Sequence, residues 1–222
     1  LSIDVKVSIL ISYYSISDEY EEMNKQAMEL SEILINTHKN NPIAHAIYGD
    51  FLYKEGRNKE AKVQYKKVIE KDENKPQVWS QLLFIESELR NYEELELDSE
   101  KAFQLFPTNP VYYFFNGIAN SQLKNYQKAI SSLEIGLEFV IDNPPLLAQF
   151  YSSLGDNYHY IKQHLYSDSL YEKALEIEPE NIQVLNNYSY YLSLRNYNIE
   201  KAEEMSKKSN EISPNNASFQ DT

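Results

Sequence analysis

The sequence contains no cysteine among its 222 residues and has few of the residues that make tight turns. The lack of cysteine excludes disulfides, thiolate zinc sites and cysteine nucleophiles. Five glycines and eight prolines are too few for a β-sandwich or a doubly wound α/β fold, which need many turns. No glycine-rich phosphate-binding motif is present either. The composition therefore favours a helical protein that binds no nucleotide through such a loop.

Basic residues are also scarce. The chain has 21 lysines and arginines against 34 acidic residues, giving a formal net charge of −13. Proteins that hold a phosphate backbone or an anionic membrane surface need clustered bases, so we expect no nucleic-acid partner. The longest uncharged apolar run near the start, 7–17, is too short to cross a bilayer, and we expect no membrane insertion by this segment.

A repeat with a period of 34 residues organises what is present. Aligning the sequence with itself at this offset superimposes prolines, aromatic residues and small residues. The predicted repeats cover 8–41, 42–75, 76–109, 110–143, 148–181 and 182–216. The four residues 144–147 are additional, and we expect them to lengthen the first helix of the fifth repeat.

The repeat resembles the tetratricopeptide repeat, with its pattern W-x2-L-G-x2-Y, A-x3-F and a closing proline. The leucine–glycine pair is matched by Leu154-Gly155, and the tryptophan site by Trp79. The remaining matches include Tyr48-Gly49, Asn116-Gly117, Ala61/Tyr65, Ala129/Leu133, Pro107, Pro179 and Pro214. The last repeat resembles a type common in bacterial tetratricopeptide proteins, especially those of Bacteroidota.

This resemblance implies an all-α fold, a right-handed α-solenoid of antiparallel helix pairs. We expect a single domain over 1–222 with about six repeats, and a chain that is a fragment of a longer protein. Five of the six repeats have a small residue where the helices of a pair approach most closely. The exception is 76–109, which has Leu83 and Leu95 there, so its helices should lie slightly further apart. In the loops within the repeats, asparagine or glycine is expected to adopt the left-handed conformation.

Three polar residues in the fifth repeat, Ser152, Asp156 and His159, share one helix face and invite a catalytic interpretation. On a helix, however, Ser152 and His159 lie about 10 Å apart along the axis, too far for a hydrogen bond between them. No nucleophile elbow accompanies the serine. We therefore predict a non-catalytic surface.

Histidine offers no metal site by spacing. The four histidines include no H-x3-H pair, and the gap between His159 and His164 should place these two on different sides of the helix. His45 occupies a tryptophan site and is expected to be packed. We predict no metal and no cofactor.

In tetratricopeptide proteins, the face that carries Ser152 lines a concave groove where ligands bind. The corresponding positions hold one lysine, Lys54, and no arginine, so a clamp for a partner's terminal carboxylate is not implied. The predicted groove residues are Asp50, Tyr53, Phe84, Phe114, Ile118, Ser152, Asp156, His159, Asn186 and Tyr190. The wider surface adds hydroxyl and amide residues, among them Ser121, Gln122, Gln149 and Gln183.

The resemblance implies a protein-interaction scaffold that binds a peptide or a partner protein in this groove. The alternative is an accessory or architectural solenoid within a larger enzyme or an envelope or secretion assembly. The family resemblance favours the cell envelope or periplasm over the cytoplasm.

Overall fold

The computed structural model describes residues 2–16 and 21–214 of the chain. These residues form α-helices joined by short turns, and no strand occurs among them. The helices are α1 (Ile3–Ile16), α2 (Glu21–Thr37), α3 (Pro42–Lys54), α4 (Asn58–Ile69), α5 (Pro76–Glu88), α6 (Tyr92–Leu105), α7 (Pro110–Gln122), α8 (Tyr126–Leu137), α9 (Pro144–Tyr160), α10 (His164–Ile177), α11 (Ile182–Leu194) and α12 (Ile199–Ile212). The prediction of an all-α repeat of helix pairs is confirmed.

The helices fall into two compact units, Leu1–Phe106 with α1 to α6 and Pro107–Thr222 with α7 to α12. Within each unit, consecutive helices pack as pairs, such as α3 with α4 in the first and α9 with α10 in the second. The core of the second unit includes Phe150 and Leu154 of α9 and Tyr188 of α11. Each unit thus buries the apolar faces of its helix pairs against one another.

Asparagine and proline set where several first helices begin. Asn41 and Asn109 are N-caps, and their Oδ1 atoms accept hydrogen bonds from the backbone N–H groups of Ile43 (2.8 Å) and Val111 (3.1 Å). A proline follows each cap at the first helical position, where its missing N–H costs nothing. The additional residues 144–147 lengthen α9 to 17 residues, against 13 for α7 and α11, as expected.

In these helix pairs, a small residue on one helix faces a large residue on the other. A Cβ on Gly117 would lie 2.5 Å from Cγ of Leu133, so the glycine makes room for the leucine. In the third repeat the sizes are reversed, with a buried Leu83 on α5 and a buried Ser99 on α6. The backbones of α5 and α6 also approach less closely than those of α7 and α8, as Leu83 and Leu95 led us to expect.

The left-handed residues in the turns differ in part from the prediction. Gly56 (φ 70°) and Asn196 (φ 50°) adopt this conformation. In the third and fourth repeats it falls on Arg90 (φ 56°) and Lys124 (φ 63°) rather than on the following asparagines, and in the fifth repeat it falls on Lys162 (φ 63°). The reason is the hydrogen-bond pattern at the helix end. Asn91 N–H donates to the Glu86 carbonyl at 2.9 Å, which requires the residue before Asn91 to be left-handed.

The packed role of His45 is confirmed. Its ring is buried, with Nε2 2.8 Å from the Lys39 carbonyl oxygen. Trp79 and Tyr113 occupy the same position in the next two repeats and also reach a carbonyl six residues earlier. No helix in the described part of the chain is both long and apolar enough to span a membrane.

Candidate functional site

The second unit contains a cavity between the first helices of its repeats, which we call the α9 pocket. Its volume is about 340 Å³. It is bounded by one face of α7, one face of α9 and the beginning of α11. The lining residues are Phe114, Ile118, Ser121, Gln122, Gln149, Ser152, Ser153, Asp156, Asn157, Asn181, Gln183 and Val184.

Four of the predicted groove residues meet in the α9 pocket: Phe114, Ile118, Ser152 and Asp156. Phe114 also packs into the core, with its ring centroid 5.2 Å from that of Phe150. Its role is therefore partly structural. Ile118 and Ser152 are half-buried, and they offer the pocket an apolar and a hydroxyl surface.

Asp156 is tied into the helix pair rather than free at the surface. Its Oδ1 accepts hydrogen bonds from the Tyr171 hydroxyl and from Nδ2 of Asn187, the latter at 3.4 Å. Tyr191 is a further hydrogen-bond partner. Burial raises the pKa of Asp156 to about 6, although these donors favour the charged form. Asp156 thus provides a partly desolvated carboxylate at the pocket wall.

His159 does not line the α9 pocket. Its ring stacks on that of Tyr191, with centroids 3.7 Å apart and planes 16° from parallel. Burial, followed by the nearby His164 and Arg195, lowers the pKa of His159 to about 4. Its Nδ1 is buried without a hydrogen-bond partner. The imidazole is therefore neutral at pH 7 and separate from Ser152, so the described geometry assembles no Ser–His–Asp triad.

The expectation that His159 and His164 lie apart is wrong. Their ring centroids are 5.2 Å apart, because α9 ends at Tyr160 and α10 begins at His164. The turn between the helices brings the two residues together, whereas a continuous helix would have separated them.

The remaining predicted residues of the second unit lie on α11, outside the lining of the α9 pocket. Tyr190 is 44% exposed, with its ring 5.8 Å from that of Tyr191. Asn186 is half-buried.

In the first unit, two of the predicted residues are in contact. The rings of Tyr53 and Phe84 meet edge to face with centroids 6.1 Å apart, and Phe84 remains 41% exposed. Asp50 accepts a hydrogen bond from the Tyr65 hydroxyl at 2.7 Å, and burial raises its pKa. This unit therefore offers a partly exposed aromatic surface and a half-buried carboxylate.

The described residues include one group of carboxylates close enough to share a cation, namely Glu86, Glu94 and Asp98. A lysine ammonium already occupies the position among them. Lys66 Nζ lies 3.2 Å from Glu86, 2.5 Å from Glu94 and 3.1 Å from Asp98, and Lys62 pairs with Glu94 at 2.8 Å. This arrangement is an ion-pair network that joins α4, α5 and α6, and it leaves little attraction for a metal ion.

Four lining residues of the α9 pocket were not predicted: Ser153, Asn157, Asn181 and Val184. Asn157 carried a detectable signal. It follows Gly155 by two residues, a position that is apolar or aromatic in the neighbouring repeats as Phe51, Ile85, Ala119 and Tyr191. An amide at a position expected to be buried marks a polar group that needs a partner.

The comparisons with known proteins agree with this fold. The tetratricopeptide-repeat family model matches residues 170–204. A crystal structure of MamA is 23% identical with a TM-score of 0.63, covering 73% of this chain and 92% of MamA. PilF of Pseudomonas aeruginosa is 16% identical with a TM-score of 0.73, covering 99% of this chain and 95% of PilF.

A third similar structure is the APC/C hetero-tetramer Cut9–Hcn1, at 16% identity and a TM-score of 0.73, covering 96% of this chain and 42% of the matched one. A search of curated proteins finds no match. Sequence identities this low carry the fold alone. The match over 170–204 identifies a tetratricopeptide repeat in that segment, and the 34-residue period and the helix pairs packed at glycine agree with a helical-repeat fold for the described residues.

Proposed function

We propose that this protein is a non-catalytic interaction scaffold that docks a polypeptide of a partner protein on the exposed faces of its first helices. The observation that carries the proposal is the α9 pocket, in which apolar and amide side chains from three successive first helices converge. A pocket of this composition suits a peptide, because apolar anchors contribute binding energy while amides hydrogen-bond its backbone. The helix pairs beneath it provide a rigid support.

The second support is the exposed aromatic surface of Tyr53 and Phe84 in the first unit. Aromatic side chains with one exposed edge are frequent anchors in interfaces. The similar protein Cut9 is itself described in a hetero-tetramer with Hcn1, which is consistent with a scaffold role for this fold.

Site-specific crosslinking tests the proposal directly. A photoreactive residue in place of Gln149, at the α9 pocket, should crosslink one partner in extracts of the source organism. The same residue in place of the exposed Gln127 on α8 should not crosslink it. Crosslinking of the same partner from both positions, or from neither, would argue against docking at this face.

A pair of isoleucine substitutions supplies the matched loss-of-function test. Ile118→Glu places a charge in the α9 pocket, whereas Ile135→Glu places the same charge on α8, where Ile135 is 48% exposed. We expect partner capture to fall at least tenfold for Ile118→Glu and to persist for Ile135→Glu. Circular dichroism should show that both variants keep their helical content.

A further inference from the structure

The lining of the α9 pocket is polar but contains a single ionisable side chain, which is acidic. Among its twelve lining residues only Asp156 is ionisable, and eight others carry an amide or a hydroxyl group. The lining contains no lysine and no arginine. A ligand carboxylate or phosphate in this pocket would meet the Asp156 carboxylate and no compensating cation, which costs binding free energy.

Asn157 adds an unpaired hydrogen-bond acceptor. The residue is only 1% exposed, and its Nδ2 donates to the Ser153 carbonyl at 2.8 Å. Its Oδ1 is buried without a partner. A buried carbonyl oxygen that lacks a donor is destabilising, so a ligand that supplies an N–H or O–H group there removes an existing cost.

The rest of the lining restricts the shape and polarity of the ligand. Phe114, Ile118 and Val184 provide an apolar surface for a small side chain, while Gln149 and Gln183 are exposed amides able to donate and to accept. A peptide backbone in an extended conformation has the alternating donors and acceptors that match these amides.

We infer that the α9 pocket selects an extended, non-acidic polypeptide segment, one of whose N–H or O–H groups donates to Oδ1 of Asn157. This inference rests on the proposed function and specifies its ligand. The pocket excludes segments with aspartate, glutamate or a phosphorylated residue at the central positions. Uncharged and lysine-containing segments are accepted.

A random peptide library displayed on phage provides the probe, selected on the full chain. We expect the selected peptides to be depleted of aspartate and glutamate several-fold relative to the unselected library. The double variant Gln149→Lys/Gln183→Lys introduces two cations at exposed positions of the pocket, so it should select acidic peptides instead. Gln127→Lys carries the same kind of change on α8 and should select as the wild type does.

The hydrogen bond to Asn157 is tested with a peptide obtained from that selection. Asn157→Leu, which removes the acceptor and keeps the same branched arrangement of side-chain heavy atoms, should weaken binding of this peptide about tenfold, the effect of one hydrogen bond. Peptides in which one backbone N–H is methylated or one polar side chain is truncated are then measured against the wild-type protein. One of these changes should remove the critical donor and lower the affinity by the same factor. This second measurement does not depend on the folding of the Asn157 variant.

The possible outcomes separate this inference from the proposed function. If the wild type selects acidic peptides and these bind in the α9 pocket, the inference is overturned while the scaffold function stays intact. Peptides that bind the wild type and Asn157→Leu equally, with no critical donor, would also overturn it. Failure of the wild type to select any peptide would contradict peptide docking itself.

Discussion

A tyrosine hydroxyl meets an aspartate across the helix pair in both units. Tyr65 donates to Asp50 in the first unit, and Tyr171 donates to Asp156 in the second. In each case the tyrosine ring packs against a glycine of the partner helix. A Cβ on Gly49 would lie 2.8 Å from the Tyr65 ring, and a Cβ on Gly155 would lie 3.1 Å from the Tyr171 ring. Glycine, aspartate and tyrosine therefore act as a set that joins the two helices and places a carboxylate beside the exposed face.

Asp156 should make stability depend on pH. Its pKa is about 6 in the folded protein against 3.8 for an ordinary aspartate, so the folded state binds the proton more tightly. The stability that this group contributes is therefore fully present below about pH 4. It is lost as the pH rises from about 4 to about 6. Asp156→Asn cannot take up the proton. The stability of this variant relative to the wild type should therefore decline as the pH falls from about 6 to about 4. Urea unfolding of both proteins at several pH values measures this difference, and a parallel pH dependence would contradict the assignment.

His159 should act in the opposite direction. Its pKa falls from 6.5 to about 4 on folding, so the unfolded state binds the proton more tightly. This group's contribution to stability is present above pH 6.5 and is lost as pH falls towards 4. His159→Phe keeps a flat ring against Tyr191 but does not titrate. It should gain stability relative to the wild type between pH 6.5 and 4, the reverse of Asp156→Asn. If both variants shift in the same direction, the two environments have been misassigned.

At the scale of the helices, the turns are under local strain. Lys124 lies in the turn after α7 and has φ 63°, a conformation that costs an L-amino acid about 1–2 kcal/mol relative to the right-handed region. Lys124→Gly should raise the free energy of unfolding by about 0.5–1 kcal/mol, after the greater entropy of glycine in the unfolded chain is subtracted.

The equivalent turn after α3 gives the reciprocal control for Lys124→Gly. Gly56 has φ 70° and nothing within 4 Å of an added Cβ, so Gly56→Ala changes only the backbone preference. It should lower stability by a similar amount, as measured by thermal or urea unfolding. A loss of stability in Lys124→Gly would show that the lysine side chain contributes more than its backbone strain costs.

The helices also show what a sequence can and cannot predict. The period, the small residues and the proline stops depend on local spacing, and they predicted the helix pairs and the longer α9. The left-handed position at Arg90 was missed because it depends on the hydrogen-bond register at the helix end rather than on residue preference. The proximity of His159 to His164 was missed for a related reason, since the turn, and not the helix, determines it.

For the candidate site, the sequence predicted the face but not the side-chain directions. Ser152 and Asp156 line the α9 pocket as part of that face, whereas His159 on the same face turns to stack on Tyr191. A ring–ring contact with the next repeat decides this, and helical spacing within one repeat contains no information about it. Asn157 was missed because its position in the repeat is normally apolar.

At the scale of the whole molecule, stability in a repeat protein is a sum of local terms, because each repeat contacts its neighbours. The two compact units, Leu1–Phe106 and Pro107–Thr222, each contain their own core clusters. A substitution that destabilises one helix pair should therefore lower the local stability of its own unit first. The α9 pocket lies wholly in the second unit, so binding there should depend on the integrity of that unit.

Gly117→Ala tests this locality. The added Cβ would lie 2.5 Å from Cγ and 2.6 Å from Cδ2 of Leu133, so the pair α7–α8 must shift, at a cost of about 1–3 kcal/mol. Hydrogen–deuterium exchange with mass spectrometry should show faster exchange in peptides of the second unit and little change in those of the first. Ser131→Ala, at an exposed position on α8, serves as the control and should leave both units unchanged. Equal loss of protection across both units would mean that the chain opens as one cooperative structure, and that the α9 pocket depends on repeats far from it.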